Sequence, residues 1–209
     1  MGFSGTVGSG GLGSLSKKYE SGSSGPGTIA NNSGDWGGAS YGTYQIATNT
    51  GTMNSFLNYL KKSSPSTYNA LKGYTPGSSG FNNAWKQLAQ KDAKGFDALQ
   101  HGFIKQSHYD PAANKIKSSL GIDINKYSPA VQNVLWSTAV QHGSQGALNV
   151  FRNAGIRPGM SEADIIRRVY AERGANNGAK YFSRSSPEIR QSVVNRFQRE
   201  MRDALKMLS

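Results

Sequence analysis

The chain contains no cysteine. This excludes a disulfide framework, a thiolate metal site and a cysteine nucleophile. It leaves the compartment open, because a cysteine-free chain works in an oxidising space without risk of wrong bridges. No apolar run approaches the roughly 20 residues that a membrane-spanning helix needs. The opening residues Met1-Gly2-Phe3-Ser4-Gly5 have neither the basic segment nor the apolar segment of a secretory signal. Action outside the cytoplasm therefore calls for a delivery route from elsewhere. Acidic residues are scarce: 12 Asp+Glu stand against 24 Lys+Arg, a net charge of +12. That balance attracts polyanions (nucleic acid, an anionic membrane or an anionic wall polymer) and repels a cationic polysaccharide. The aromatics are not interleaved with basic residues in any one stretch and no nucleic-acid-binding signature is present, so no specific nucleic-acid partner is expected. His101, His108 and His142 are not spaced as metal ligands. A G-x-S-x-G elbow is also missing. Neither metal nor cofactor is expected.

What is present is enough for one domain: 209 residues, 36% of them hydrophobic. Residues 1–14 are nearly all small and read as a flexible Gly/Ser linker ahead of a domain over 15–209. Gly8 to Gly13 matches G-x-G-x-x-G, but no strand precedes it and no acidic residue follows at the right distance, so no nucleotide role is assigned. Leu12, Leu15 and Tyr19 predict a short helix. Residues 21–40 hold too many glycines for regular structure, and Ser40–Ala47 alternates as a short strand or hairpin arm. Thr52 reads as the cap of a helix with Met53, Phe56, Leu57 and Leu60 on one face. Ser63–Gly80, with two prolines, reads as a loop. Further helices are marked by Phe81/Trp85/Leu88 and by Phe96/Leu99/Phe103. Asp110-Pro111 predicts a cap with proline at the first helical position, and that helix stops at Gly121. Ser128-Pro129 repeats the start signal. The segment behind it, Ala130–Gln141, is apolar almost all round, which predicts a buried central helix. Ser161 opens another helix in capping-box fashion. Ser186-Pro187 opens the last one, with Ile189, Val193, Phe197, Met201, Leu205 and Leu208 as its stripe and Arg190, Arg196, Arg199 and Arg202 as a solvated face. The fold class expected is mainly α, built around that buried helix, with a small β or irregular element near residues 35–47.

The stretch Tyr19-Glu20-Ser21-Gly22 puts a carboxylate at the end of a short helix, and Asp35 follows fifteen residues later on a glycine-flanked loop. Two carboxyl groups held across a cleft are what glycosidic-bond cleavage needs. A proton donor needs a raised pKa, which an apolar setting and a helix C-terminus both favour. Glu20 and Asp35 are therefore the candidate catalytic residues. Ser40, Tyr41, Tyr44 and Gln45 supply ring faces, a hydroxyl and an amide for holding sugars, or else serve as ordinary strand and core residues. At the end of the central helix, Gln141 and His142 are further candidates for substrate binding. His142 reads equally as a C-capping histidine favoured by the helix dipole. Glu172 reads as one half of an ion pair with a neighbouring arginine.

These residues, taken together, resemble the lysozyme-like superfamily. The shared features are Tyr19 to Gly22, Gly34-Asp35-Trp36-Gly37-Gly38-Ala39-Ser40-Tyr41-Gly42-Thr43-Tyr44-Gln45, Ser128 to Gln132, and Trp136 to Gly143. The nearer resemblance is to peptidoglycan-cleaving domains of phage tail and endolysin proteins and of VgrG-associated type VI secretion effectors. The resemblance implies a muramidase-type hydrolase acting on peptidoglycan glycan strands in the wall of a target bacterium, with Glu20 as acid. It also leaves open a lytic transglycosylase that manages with one glutamate, and a chitosanase-like activity that the charge disfavours. A secretion apparatus or phage module for delivery, an immunity protein and a monomeric state complete the expectation.

Overall fold

The computed structural model describes residues 11–19, 25–31 and 38–209. The chain divides into two compact units, one of Met1–Glu20 with Ser107–Ser209 and one of Ser21–Gln106. Both are mainly helical. The only sheet among the described residues has three short strands, as the mainly α reading with a small β element requires.

The unit Ser21–Gln106 is built on aromatic packing. Its strands are β1 (Ile29–Asn31), β2 (Ala39–Tyr41) and β3 (Ile46–Ala47), all antiparallel, with Tyr41 opposite Ile29 on one side and Ile46 on the other. Here β1 corrects the expectation that residues 21–40 lack regular structure. A three-residue strand is too short for alternation to show against a glycine-rich background. Helix α2 (Thr52–Ser63) buries Met53, Phe56 and Leu60, the face its spacing predicts. Thr52 is not its cap. Gly51 takes that position at φ 77°, a conformation that suits glycine. Helix α3 (Pro65–Leu71) replaces much of the expected loop. Pro65 presets the first turn, and Thr67 and Leu71, four apart, are its buried pair. Helix α4 (Ser79–Lys91) starts where the Ser78 side chain accepts from the Phe81 N–H, and α5 (Ala93–Ile104) starts where Asp92 accepts from Gly95. Their buried faces bring Trp85 and Phe96 together with ring centroids 4.7 Å apart, while Tyr41 meets Trp85 at 5.1 Å and Phe81 at 5.2 Å. Edge-on ring pairs of this kind each contribute about 0.5–1.5 kcal/mol beyond the area they bury.

A π-helical turn, Lys105–Tyr109, joins α5 to α6 (Asp110–Leu120) without a break. Asp110 therefore does not cap a new helix. Pro111 has no N–H for the carbonyl four residues back, and the helix widens just ahead of it. Gly121 ends α6 in the left-handed region, as expected.

In the other unit, α7 (Pro129–Asn153) is the central helix. Ala130, Val131, Val134, Leu135, Trp136 and Ala139 are buried, and so are Asn133, Ser137 and Thr138 between them. The helix does not end after Gln141 as expected: it only breaks at Gly143 (φ 73°, ψ 171°), beyond which it resumes and buries Ala147, Leu148, Val150 and Phe151. Helix α1 (Ser14–Tyr19) lies against α7: the Leu15 N–H donates to Asn133 Oδ1 at 3.2 Å, and Asn133 Nδ2 donates to the Gly11 carbonyl at 3.2 Å. Packed chain thus begins by Gly11, inside the stretch read as linker. Residues 1–10 lie outside the described residues.

Helix α8 (Glu162–Arg173) starts at Ser161, whose side chain accepts from Asp164 N. Glu162 does a second job by accepting from the Ser128 N–H at 3.0 Å and from its hydroxyl, which ties the start of α7 to the start of α8. Helix α9 (Pro187–Lys206) begins at Ser186 as predicted, but its buried residues are Phe197, Glu200 and Ala204, while Ile189 is 55% exposed. The fully buried Glu200 accounts for another departure. Arg196, expected on the solvated face, pairs with it at 3.4 Å.

Candidate active site

The two candidate catalytic carboxylates, Glu20 and Asp35, lie outside the described residues. The described chain stops at Tyr19 ahead of Glu20 and resumes at Gly38 after Asp35.

In the unit Ser21–Gln106, β2 leads out of the Asp35 segment. Successive side chains on a strand point to opposite faces. Tyr41 goes inward and is fully buried, while Ser40 is half-exposed. The Tyr41 hydroxyl donates to Asn82 Oδ1 and accepts from the Gly77 N–H at 3.0 Å. Burial pushes this phenol's pKa up. Tyr41 offers no ring face to a sugar, which corrects its assignment to substrate binding: the register that places Ser40 outward places Tyr41 in the aromatic core. Beyond it the chain turns through Gly42, Thr43, Tyr44 and Gln45. Gly42 sits at φ 77° over the Gln100 side chain, which accepts from Thr43 N at 3.1 Å and donates to the Pro26 carbonyl at 3.0 Å. Thr43 is buried and donates to Asp97 at 2.6 Å. This anchoring leaves Tyr44 half-exposed, its ring 6.1 Å from that of His101, and Gln45 exposed at φ 51°.

In the other unit, Gln141 and His142 meet at a residue that was not among the candidates. Arg173, the last residue of α8, is fully buried. Its guanidinium donates Nη2 to Gln141 Oε1 at 2.8 Å, Nη1 to Ser137 Oγ at 3.1 Å and Nε to His142 Nε2 at 3.3 Å. Its carbon lies 4.2 Å from the Phe197 ring centroid and 5.2 Å from that of Tyr170. Burial lowers its pKa and the Glu200 charge opposes this; arginine stays protonated regardless. The signal for it was in the sequence. Ile166, Val169, Tyr170 and Arg173 share the apolar stripe of α8, and a charge on such a stripe is buried and paired.

His142 is held neutral. Burial first and the Arg173 charge second lower its pKa to about 3. A neutral imidazole cannot play the charged capping role expected at a helix end. With Nε2 accepting from Arg173, the proton sits on Nδ1. The ring packs against Tyr181 at 5.3 Å and Phe182 at 5.7 Å. Tyr181 in turn donates to Glu172 Oε1 at 2.7 Å, and Lys180 forms an ion pair with the same oxygen. Burial works against the Glu172 carboxylate, but its bonds to Lys180 and Tyr181 win and its pKa is lowered. Glu172 pairs with a lysine, where an arginine was expected. Among the described residues no group of three or more His, Asp or Glu could hold a metal, and no helix is long and apolar enough to cross a membrane.

The helical fold with its small sheet is lysozyme-like and is shared with solved chitosanases. The chain superposes on a native chitosanase from Bacillus subtilis MY002 with a TM-score of 0.62, at 20% identity, over 92% of this chain and 86% of that one. A mutant chitosanase from the same strain, complexed with 6 GlcN, gives 0.61 at 21% identity over 88% and 81%. A chitosanase from Gynuella sunshinyii in complex with chitotetraose gives 0.58 at 15% over 87% and 81%. Residues 12–201 match the family model of the type VI secretion system spike protein VgrG3-like C-terminal domain, and the chain belongs to that family. It is 35% identical over 158 residues to the type VI secretion system spike protein VgrG3 of Vibrio cholerae, covering 74% of this chain and 15% of that protein's length.

Proposed function

We propose that this domain is a glycoside hydrolase that cleaves the β-1,4 bond between N-acetylmuramic acid and N-acetylglucosamine in peptidoglycan, with Glu20 as general acid. The observation that carries the reading is the family match over residues 12–201, which takes in Tyr19 to Gly22 and Gly34 to Gln45 together on a fold shared with carbohydrate-cleaving enzymes. The net charge of +12 suits an anionic wall and opposes chitosan, which favours peptidoglycan over the substrate class named for the structural neighbours.

Glu20 donates its proton to the bridging oxygen. Asp35 accepts a proton from the attacking water on the opposite face of the sugar, which is the inverting arrangement. Ser40, Tyr44 and Gln45 are the candidates for holding sugars in the unit Ser21–Gln106. Gln141 and His142 present donors, because Arg173 already occupies the acceptor atom of each; the Gln141 amide nitrogen and His142 Nδ1 are the groups left for sugar oxygens. The domain acts in the periplasm of a target bacterium. A type VI apparatus delivers it, and an immunity protein protects the producer.

Clearing of a purified peptidoglycan suspension tests the reading, with Glu20→Gln expected to lose at least about 100-fold in rate. Full clearing by that variant would remove Glu20 from the role. Mass spectrometry of the fragments separates hydrolysis, which leaves reducing ends, from transglycosylation, which leaves anhydro ends and no need for Asp35. A parallel assay on chitosan is expected to give no release.

A further inference from the structure

We infer that Asp203, on the last helix, is a positioning residue for the proton donor: by holding Lys18 and Tyr19 on one carboxylate it fixes the end of α1, from which Glu20 follows directly. The inference rests on the assignment of Glu20 above.

Helix α1 has six residues and cannot hold its own conformation. Its first turn is anchored to α7 by the Leu15 and Asn133 hydrogen bonds and by Gly13, whose φ of +84° lets the backbone lie against the Trp136 indole. The last turn, which carries Lys18 and Tyr19, is tied to α9. Asp203 makes that tie from 184 positions further along the sequence. Its Oδ2 accepts from Lys18 Nζ at 2.6 Å and from the Tyr19 hydroxyl.

The two contacts differ in kind. Lys18 is 63% exposed on a flexible stem, and an exposed pair of this sort contributes little by itself. Tyr19 is a rigid ring with two torsions, so one hydrogen bond at its tip sets its whole orientation. Burial and the adjoining Asp203 push its phenol up to about 12, so it stays a donor throughout the working range. Lys18 and Tyr19 hold the Asp203 carboxyl below its usual range, so the acceptor stays charged. The clamp is therefore closed at neutral pH. Positioning at this point matters because a misplacement of about 1 Å in a reacting group costs on the order of 100-fold in rate.

Kinetics on soluble glycan-strand oligomers test this with Asp203→Ala, Asp203→Asn, Tyr19→Phe and Glu20→Gln, each with its Tm. The inference expects Asp203→Ala to lower kcat about 10- to 100-fold with KM within about twofold of wild type. Tyr19→Phe, which deletes one hydroxyl, is expected to lower kcat about tenfold. Asp203→Asn keeps an oxygen for the Tyr19 hydroxyl and is expected to recover most of the Asp203→Ala loss. Wild-type kcat in both Asp203→Ala and Tyr19→Phe, or a loss confined to Tm, overturns the inference while leaving Glu20 in place. Should Asp203→Ala fail to fold, Tyr19→Phe decides alone. Retained activity in Glu20→Gln is a separate result, and it overturns the assignment of the acid.

Discussion

The Nε of Arg173 donates to Nε2 of His142 at 3.3 Å, which makes a permanently charged, fully buried side chain the partner of a neutral imidazole. The same guanidinium takes Gln141 and Ser137, so one residue on α8 fastens three polar side chains within about a turn and a half of α7. Removing one partner of a buried charged cluster leaves the others unsatisfied in a low dielectric. Arg173→Ala is therefore expected to cost about 3–5 kcal/mol. Arg173→Lys is expected to recover little, because an ammonium cannot reproduce the planar fork that meets three acceptors. Urea titration followed by circular dichroism gives both values.

His142 makes stability depend on pH. Its folded-state pKa of about 3 lies below the unfolded value near 6.5, so the unfolded chain binds a proton that the native protein refuses. The contribution is intact above about pH 6.5 and shrinks as pH falls toward 3, by up to about 1.4 kcal/mol per pH unit. Asp203, Glu172 and Asp123, whose pKa values are lowered, add losses of the same sign only below the ordinary carboxylate range, near pH 4. The window from pH 6.5 to 4.5 therefore belongs to histidine. Burial also lowers the His108 pKa, which adds a loss of the same sign in this window, so a His142→Gln variant is expected to reduce the slope of the Tm profile there; an unchanged slope would rule His142 out as a source.

Tyr41 and Tyr44 stand three positions apart and are expected to fail differently. Tyr41→Phe removes a hydroxyl that bridges Asn82 and the Gly77 N–H, which is expected to cost about 1 kcal/mol with KM unchanged. Tyr44→Ala removes a half-exposed ring and is expected to raise KM with little change in Tm. Calorimetry beside steady-state kinetics separates the two, and a raised KM in Tyr41→Phe would return that residue to the binding surface.

Gly42 admits no side chain. A Cβ there would lie 2.2 Å from Gln100 Oε1, and φ is +77°. Gln100 is fully buried and committed to Thr43 N and the Pro26 carbonyl, so it has nowhere to retreat. Gly42→Ala is expected to cost on the order of 2–4 kcal/mol through strain and lost buried hydrogen bonds. Thermal unfolding measures it, and a Tm within a degree of wild type would contradict the turn described.

Where a pattern was long, it was legible. The all-round apolar run of Ala130–Gln141 marked the buried helix, Ser161 and Ser186 marked true caps, and Gly121 marked an end, whereas the helical turns beyond Gly143 were hidden by that glycine. Short or substituted elements were not. A three-residue β1 shows no alternation, α3 was hidden behind Pro65, and Pro111 looked like the start of a new helix when it only widens a continuous one. On α9 the apolar stripe pointed to Ile189, whereas the buried positions include the charged Glu200.

The chain's own pattern determined what depends on neighbours in sequence: the helical class, the central helix, and a short first helix through Leu15 and Tyr19. Tertiary structure decided what depends on neighbours in space. It turned Tyr41 inward, spent the acceptors of Gln141 and His142 on Arg173, and brought Asp203 to the end of α1. A hydrogen bond spanning 184 positions leaves no periodicity to read, because its partners are set by the packing of helices and not by local backbone preference.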